Sequence, residues 1–431
     1  MDGPLDPANY DTTHEVVSWW QATAAPPPPR AALEGEHGVD IAIIGGGYVG
    51  LSCARTLAER GHSVAVLEAS EIGWGSSGRA GGIVGYGGTK RSEAALVRAF
   101  GTEEVARASA LQTETLQALH AFCHDRGLGD QVQGVGELLL GHSARATAAI
   151  QAKDWGEPVA PSGQPDIARH GGVLIRPCFG IHPLRLVRAM AEATEDAGAA
   201  IHPRSEVHTW ERQGNGHRLL TTAGALRATR VVVAGGAFTP ERLHPQLGQR
   251  VVPVISNIAV TRVLTTEERA RHPWLGADPA ADTRHMLAYF RLLPENRLLF
   301  GMRGDARGSA EGASAMLSRL KTRLNAALPG LAEAEIEYFW RGPVCTTATL
   351  RPALGALTDE PTVYHGFGWH GSGIAMGTLA GRLLGEQIAG APPEAIPAPW
   401  RGLPPRLPLP GLRPLYVRTA FAGYALADRL S

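Results

Sequence analysis

The sequence predicts an α/β plus α+β protein, in which a Rossmann-like domain is joined to a second domain built on a mixed or antiparallel sheet flanked by helices. A buried strand, a glycine turn, a helix and a second strand follow one another from Val39 to Glu68, which is the order of a βαβ unit. Alternating apolar segments between residues 251 and 304 predict a separate antiparallel sheet. The length of 431 residues exceeds that of one ordinary domain.

Composition narrows the class of partner. Lys and Arg together number 41, as do Asp and Glu, so no net field attracts nucleic acid or an acidic membrane, and a small organic substrate is expected. No membrane span or signal peptide is predicted, since no long apolar run and no basic segment followed by an apolar core is present. The cysteines lie far apart without metal-ligand spacing, which predicts no metal site and suits a reducing cytoplasm.

The chain is expected to divide into four parts. Residues 1–36 form a polar N-terminal arm that ends in the proline run Pro26 to Pro29 and is anchored to the body by Trp19 and Trp20. The remaining parts are a discontinuous cofactor-binding domain of residues 37–95, 165–250 and 345–390, a substrate domain of residues 96–164 and 251–344, and a proline-rich tail with a closing helix at 391–431.

Periodicity places further elements. Helices are predicted from about Tyr48 to Arg60, within residues 90–126 with Gly127 as the stop, and from Pro183 to about Asp196. A three-stranded meander with a turn at Asn215-Gly216 is expected to end in the buried strand VVVAGG. The segment TVYHGFGWHGSG is predicted to lead into a helix.

The strongest motif is Gly45-x-Gly47-x-x-Gly50 at the first strand-to-helix turn. Gly45 allows the tight turn, Gly47 allows backbone to approach a pyrophosphate, and Gly50 allows the helix to pack closely on the strand. Glu68, at the end of the second strand, is suited to accept hydrogen bonds from both ribose hydroxyls and would repel a 2′-phosphate. The motif therefore predicts a dinucleotide site and disfavours NADP.

Two further glycine segments point to FAD. The segment after the second strand exposes backbone that suits a long, flat ligand; its candidate contacts are Gly75, Ser76, Ser77, Gly78, Arg79, Ala80, Gly81 and Gly82. Near the C-terminus a second glycine turn enters a helix, whose positive end is suited to the N1 and C2 carbonyl of a flavin; its candidate contacts are Gly371, Ser372, Gly373 and Ile374.

These segments, taken in order, resemble the D-amino-acid oxidase superfamily of flavoproteins, and most closely its γ-glutamylputrescine oxidase branch. The resemblance runs through DIAIIGGGYVGLSCARTLAERGHSVAVLEA, GSSGRAGG, AYFRLLPENRLLFGMRG, WRGPVCTTATLRPALGAL and GFGWHGSGIAMGTLAG. It implies FAD as cofactor and adds cofactor contacts at Ala69, Val207, Ala234, Gly235, Gly236 and Gly342.

Three departures from the family pattern bear on the chemistry. Ala80 and Ile83 stand where the branch usually has Asn and Gln, which implies a changed substrate preference. Val344 stands where amino-acid oxidases of the superfamily commonly have an Arg that clamps the substrate carboxylate, which favours an amine over an α-amino acid. Covalent relatives attach flavin through His or Cys. Ser77 and Gly78 occupy the His region and Cys345 is one residue off the Cys position, so non-covalent FAD is expected.

The predicted activity is oxidation of a primary or secondary amine. The substrate would pass a hydride to flavin N5, the imine would be hydrolysed to aldehyde and amine, and molecular oxygen would reoxidise the flavin to give hydrogen peroxide. One alternative is an oxidase or dehydrogenase of an N-methyl or α-amino acid, with Arg291 or Arg341 clamping the carboxylate. Another is a flavin-binding partner subunit without turnover. The oligomeric state is not predicted.

Four residues are candidates for contact with the reacting substrate. Trp369 and His370 precede the flavin-facing turn; His370 either accepts a proton or is a hydrogen-bonded structural histidine. Tyr289 and Arg291 are two apart on a predicted strand and share a face. Arg291 either binds a distal anionic group or forms a surface or interface ion pair.

Some sarcosine-oxidase relatives activate oxygen with a Lys in the strand that follows, whereas here Leu299 stands near that place. His285 and Arg291 are the substitute cations.

Overall fold

The computed structural model describes residues 3–331 and 333–430. Its strands are β1 (Gly35–Ile44), β2 (Val64–Leu67), β3 (Ile83–Val84), β4 (Glu137–Leu140), β5 (Glu157–Val159), β6 (Gly172–Ile175), β7 (Phe179–Gly180), β8 (Ala200–His202), β9 (Thr209–Gln213), β10 (Gly216–Leu220), β11 (Gly224–Val233), β12 (Val251–Val263), β13 (Ala280–Asp282), β14 (Ala288–Leu292), β15 (Arg297–Asp305), β16 (Ile336–Thr347), β17 (Ala353–Ala356) and β18 (Val363–Phe367).

The helices follow the predicted pattern closely. They are α1 (Trp19–Thr23), α2 (Tyr48–Ala58), α3 (Ser76–Arg79), α4 (Glu93–Phe100), α5 (Thr102–Asp125), α6 (Ala144–Gln151), α7 (Pro183–Asp196), α8 (Thr266–Ala270), α9 (Ala310–Ala327), α10 (Gly373–Ile388) and α11 (Arg413–Leu430). The predicted 90–126 helix is divided at Gly101, whose φ of +86° ends α4 and precedes α5.

The first sheet carries the predicted βαβ unit. Its strand order is β17-β18-β11-β1-β2-β8, with the β9–β10 hairpin attached to β11. Strand β1 pairs in parallel with β11 and β2, so that Ile44 is aligned with both Val233 and Leu67. The carboxyl ends of three parallel strands therefore meet at one edge, which is where ligands bind in open α/β sheets.

Helices α2 and α10 both begin near this edge of the first sheet. They pack side by side in the same direction, because Gly377 faces Tyr48, Gly381 faces Val49 and Gly385 faces Thr56. A methyl group on Gly381 would lie 2.3 Å from the Val49 carbonyl oxygen, so the close approach depends on glycine. Both positive helix ends thus point to the same end of the first sheet.

The second sheet has the order β16-β12-β15-β14-β13-β4-β6-β5. Its pairs are antiparallel except β13 with β4, which agrees with the predicted mixed or antiparallel sheet. Helix α9 packs against β12 and β15. A buried core of Phe290, Phe300 and Leu320 joins helix and sheet.

One domain boundary differs from the prediction. Strand β6 lies within 165–250 but belongs to the second sheet, because Leu138 and Leu139 of β4 pair with it.

The N-terminal arm is anchored as predicted, since the side chains of Trp19 and Trp20 are both buried in the main core. Within the described residues, no helix is long and apolar enough to cross a membrane.

Candidate active site

A cavity of about 430 Å³ runs from the carboxyl edge of the first sheet to one face of the second. Its first part is bordered by Ile44, Leu67 and Ala234, which end or follow the aligned parallel strands. Its second part is bordered by Ser256, Tyr289 and other residues of the second sheet. We call these parts the cofactor end and the substrate end.

The glycine turn forms the floor of the cofactor end. Gly45 has φ of +109°, a conformation that side chains rarely adopt, and a methyl group on Gly50 would lie 1.9 Å from the Gly45 carbonyl oxygen. Helix α2 begins after Gly47, which has no side chain to cap it, and its first N–H, that of Tyr48, donates a long hydrogen bond of 3.4 Å to the Ser77 hydroxyl. The N-terminus of α2 thus lies at the cavity, where it favours an anion. Gly45 and Gly47 line the cavity. Gly50 does not line it but allows helix α2 to pack closely against the turn, as predicted.

Glu68 also lines the cofactor end. One carboxylate oxygen accepts a hydrogen bond from the Gly46 N–H at 2.7 Å and the other accepts one from the Ser70 N–H at 3.1 Å. Burial raises the pKa of Glu68, against the opposing effect of these hydrogen bonds. The carboxylate is therefore fixed in orientation at the cavity wall, where a ribose is expected.

The loop Gly75–Gly82 is rigidly held. The indole N–H groups of Trp340 and Trp20 donate to the successive carbonyls of Arg79 and Ala80, each at 2.9 Å. The Ser76 hydroxyl donates to the Pro343 carbonyl at 2.7 Å. Of the predicted contacts in this loop, all but Gly78 line the cavity. A methyl group on Gly78 would lie 2.0 Å from the Gly73 carbonyl oxygen, so Gly78 closes the loop instead.

Arg79 contributes a cation to the cofactor end. Its guanidinium lies 4.3 Å from the centre of the Trp74 ring, and its Nε donates to the Trp74 carbonyl. Its Nη2 is buried and has no hydrogen-bond partner in the described part of the chain. Burial lowers the pKa of Arg79 to about 10. An unpartnered buried donor at this wall fits an anionic or carbonyl-rich ligand.

The remaining predicted cofactor contacts also border the cavity. They are Ala69, Val207, Ala234, Gly235, Gly236, Gly342, Gly371, Ser372, Gly373 and Ile374. Gly371 has φ of +111° and leads into the 16-residue helix α10, which starts without a side-chain cap. The two uncapped helix ends, the glycine cradle and Glu68 together fit a dinucleotide whose second half reaches toward the substrate end.

Trp369, His370 and Tyr289 lie where the two ends meet. Tyr289 donates to or accepts from the Ser256 hydroxyl at 2.8 Å, and burial raises its pKa to about 12. Burial lowers the pKa of His370 to about 4, so its imidazole is neutral near pH 7. His370 Nε2 contacts the Thr347 hydroxyl at 3.4 Å, while its buried Nδ1 has no partner among the described residues.

Arg291 lies outside the cavity lining, contrary to the expectation that it accompanies Tyr289. Its guanidinium donates to the Ile181 carbonyl at 2.6 Å and lies 5.3 Å from the centre of the Trp20 ring. Only 1% of the residue is exposed, and within the described residues no carboxylate oxygen lies within 4.0 Å of it, so the alternative of a surface or interface ion pair is also wrong. The alternation of side chains along β14 predicted that Tyr289 and Arg291 share one face of the sheet. At Arg291, however, Trp20 and Ile181 cover this face and separate the guanidinium from the cavity.

The second candidate carboxylate clamp, Arg341, and the second substitute cation, His285, also interact with residues outside the cavity. Arg341 forms an ion pair with Asp305 and donates to the Ser309 carbonyl at 2.8 Å. The exposed His285 stacks on Tyr424 with ring centroids 5.1 Å apart. Neither residue lines the cavity.

Sequence reasoning missed four charged residues at the substrate end, namely Lys90, Glu137, Asp282 and Arg303. Burial lowers the pKa of Lys90 to about 8, an effect that Arg303 reinforces and Glu137 opposes. Burial raises the pKa of Glu137 to about 7, against the effect of Lys90. These residues lie far apart in sequence, on β4, β13, β15 and the segment after β3, so no local sequence pattern indicated that they share one cavity.

Comparisons with known proteins agree with this geometry. Residues 40–387 match the sequence profile of the DAO family, described as FAD dependent oxidoreductase. The chain belongs to this family. Its cofactor is FAD, and the family region spans both sheets together with every segment that lines the cavity.

Two relatives illustrate the range of the family. Gamma-glutamylputrescine oxidoreductase of Escherichia coli (strain K12) is 29% identical over 433 residues, covering 97% of this chain and 99% of the relative. Glycine oxidase of Geobacillus kaustophilus (strain HTA426) is 29% identical over 380 residues, covering 82% of this chain and 93% of the relative.

Solved structures share the fold. The crystal structure of glycine oxidase from Geobacillus kaustophilus superposes with a TM-score of 0.62 at 25% identity, covering 81% of this chain and 95% of that one. L-proline dehydrogenase from P. horikoshii superposes with a TM-score of 0.64 at 20% identity, covering 83% and 94%. The fold therefore serves both an oxidase and a dehydrogenase.

Proposed function

We propose that this FAD-dependent oxidoreductase oxidises the carbon–nitrogen bond of a small-molecule primary or secondary amine. The observation that carries the proposal is the continuity of one cavity from the cofactor cradle to a compartment walled by Tyr289 and Trp369 and containing Glu137. Val344, at the position expected for a carboxylate clamp, presents only an apolar side chain to the cavity. These features suit an amine whose reacting carbon lies against the flavin.

The substrate end favours the neutral amine. An aliphatic ammonium has a pKa of about 10, comparable to that of Lys, and burial against aromatic walls disfavours its charge. Glu137 is the proposed proton acceptor, because its carboxylate lines the cavity and its pKa of about 7 leaves it largely ionised above neutral pH. His370 is the second candidate, because burial lowers its pKa to about 4 and its Nδ1 has no hydrogen-bond partner among the described residues.

When bound, FAD supplies a two-electron acceptor for a hydride from the carbon next to nitrogen, and water then hydrolyses the resulting imine to an aldehyde and an amine. Four parts of the cavity wall would hold the FAD: Gly45, Gly47, Glu68 and the turn at Gly371. We propose that FAD binds without a covalent bond to the chain. Burial raises the pKa of Cys345 to about 12, which keeps the thiol protonated and a poor nucleophile.

We propose molecular oxygen as the final acceptor, with hydrogen peroxide as product. Because a dehydrogenase shares the fold, direct measurement of oxygen uptake is the appropriate test.

An N-methyl or α-amino acid is the second candidate substrate. It is favoured by the likeness to glycine oxidase and by the cations Lys90 and Arg303 in the cavity. Arg291 and Arg341, the clamps proposed for it from sequence, are engaged outside the cavity.

The test is an aerobic assay of the purified holoenzyme with primary amines, N-methylated amines and D- and L-amino acids. The proposal expects oxygen uptake, peroxide and an aldehyde with at least one amine. Oxidation of α-amino acids alone would favour the second candidate. A yellow protein that dithionite reduces but that oxidises none of these compounds would instead be a flavin-binding partner subunit.

A further inference from the structure

Helix α11 lies outside residues 40–387, the region that matches the family. Its first half is fixed to the body of the protein. The buried Val417 packs in one apolar cluster with Val254 of β12, and Nη2 of Arg413 donates to a Glu241 carboxylate oxygen at 3.1 Å. The helix therefore adds a fixed element to the second sheet that is not part of the family region.

The last two turns of α11 hold residues 283–287, the segment that connects β13 to β14. One Asp428 carboxylate oxygen accepts a hydrogen bond from the His285 N–H at 2.8 Å, and the other accepts one from the Met286 N–H at 2.9 Å. Tyr424, one turn earlier on the same helix face, stacks its ring on that of His285 with centroids 5.1 Å apart and planes 12° from parallel. The helix thus fixes two successive backbone N–H groups of the segment with charge-assisted hydrogen bonds.

This segment borders the substrate end. Its last residue, Leu287, lines the cavity, as does Asp282 immediately before the segment. Asp282 closes the base of the segment, because a carboxylate oxygen accepts a hydrogen bond from the Ala288 N–H at 3.1 Å. The His285 carbonyl accepts a hydrogen bond of 3.4 Å from Arg303, which also lines the cavity. The segment is therefore held at its base by Asp282 and at its outer side by α11.

We propose that α11 is a latch for the substrate end, in which Asp428 and Tyr424 are positioning residues that hold residues 283–287 as a wall of this compartment. This inference rests on the proposed function, because it concerns how the amine is held at that site. Neither Asp428 nor Tyr424 lines the cavity, so both act through the segment. A wall that is already ordered lowers the entropic cost of binding a substrate against it. Loss of the latch should therefore weaken amine binding and leave the rate of flavin reduction at saturating amine nearly unchanged.

The first measurement is amide hydrogen exchange of the FAD-loaded protein, followed by mass spectrometry of peptides that contain residues 283–287. In Asp428→Ala the N–H groups of His285 and Met286 lose their acceptor, and exchange of the segment should be roughly 10- to 100-fold faster than in the wild type. Asp428→Glu, which keeps the carboxylate, should restore part of the protection. Arg429→Ala, at the neighbouring exposed residue of α11, is the matched control and should behave as wild type.

The second measurement is anaerobic stopped-flow reduction of the flavin by an amine that the wild-type holoenzyme oxidises. Asp428→Ala should raise the apparent Kd of the amine roughly 10-fold, with the limiting rate of flavin reduction within about threefold of wild type. Tyr424→Ala removes the stacked ring and should raise the Kd by roughly 2- to 10-fold, whereas Tyr424→Phe keeps the ring and should behave as wild type. The FAD content and visible spectrum of each variant show whether it has folded around its cofactor.

The outcomes separate the latch from the proposed function. Faster exchange of residues 283–287 and weaker amine binding in Asp428→Ala, with full FAD content, support the inference. Wild-type exchange of the segment or wild-type amine binding in this variant overturns it. Loss of FAD together with the limiting rate also overturns it, because α11 would then stabilise the fold as a whole. If no amine reduces a flavin that dithionite reduces, the proposed function is overturned, and exchange of the segment still supports or overturns its attachment to α11.

Discussion

The cofactor end and the substrate end of the cavity are built in different ways. At the cofactor end, backbone determines the geometry: Gly45, Gly50 and Gly371 either adopt left-handed conformations or sit too close to a neighbouring carbonyl for any side chain. At the substrate end, side chains determine it, and Lys90, Glu137 and Arg303 come from separate segments. Changes at the first should affect whether FAD binds, and changes at the second should affect what the bound FAD oxidises.

The largest expected effect is at Gly50. In Gly50→Val the new side chain meets the Gly45 carbonyl oxygen, with even its Cβ only 1.9 Å away, so the turn and helix α2 must separate. We expect FAD affinity to fall by roughly 100-fold or more, since several hydrogen bonds to the ligand are lost together. Isothermal titration of apoprotein with FAD measures this. Gly38→Ala, where a methyl group meets nothing within 4 Å, is the control. Full FAD occupancy in Gly50→Val would contradict the backbone account.

A smaller, selective effect is expected at Glu137. If its carboxylate accepts the proton, kcat/KM of the wild type should fall as the pH drops through about 7, because burial raises the pKa of this group to about 7. Burial is the main cause of this value, and the positive charge of Lys90, whose own pKa is about 8, opposes it. Glu137→Gln should lower kcat/KM by roughly 10- to 100-fold and remove the inflection.

FAD content distinguishes this effect from loss of the cofactor, and should be unchanged in Glu137→Gln. The exposed Glu93→Gln is the matched control. Retention of the inflection near pH 7 in Glu137→Gln would assign it to another group.

The sequence identified the residues at the cofactor end more completely than those at the substrate end. The glycine spacing, Glu68 and the turn at Gly371 were readable because each depends on residues close together in the chain. Glu137 and Arg303 were not, because their proximity depends on the order in which β4, β13, β14 and β15 pair. Arg291 was assigned to the right face of its strand, but sequence did not reveal that Trp20 and Ile181 cover it.

An intermediate effect is expected where the N-terminal arm meets the cofactor end. Trp20→Phe keeps an aromatic side chain but removes the indole N–H that donates to the Ala80 carbonyl. This hydrogen bond holds the loop that borders the cofactor end. We expect FAD affinity to fall by roughly 5- to 10-fold, equivalent to about 1 kcal/mol for one hydrogen bond. The flavin spectrum should shift as the loop relaxes.

Trp274→Phe is the control for this change, since the indole of Trp274 donates to Asp166 and does not line the cavity. Equal FAD affinity in Trp20→Phe and the wild type would mean that the arm does not position the loop.

The smallest effect is expected at Cys345. Its side chain is buried at the cavity wall as a protonated thiol, so Cys345→Ala should retain FAD and activity within about twofold of wild type. Acid denaturation should release all of the flavin from both proteins. Flavin that stays with the wild-type polypeptide but not with the variant would establish a covalent link.

Anaerobic titration of the wild-type holoenzyme with a small primary or secondary amine tests the central claim most directly. If the two ends form one active site, one equivalent of the amine should bleach one equivalent of flavin, and the bleached solution should contain one equivalent of aldehyde. A flavin that dithionite bleaches but that no amine or amino acid reduces would contradict the account, because it would separate the intact cofactor end from any chemistry at the substrate end.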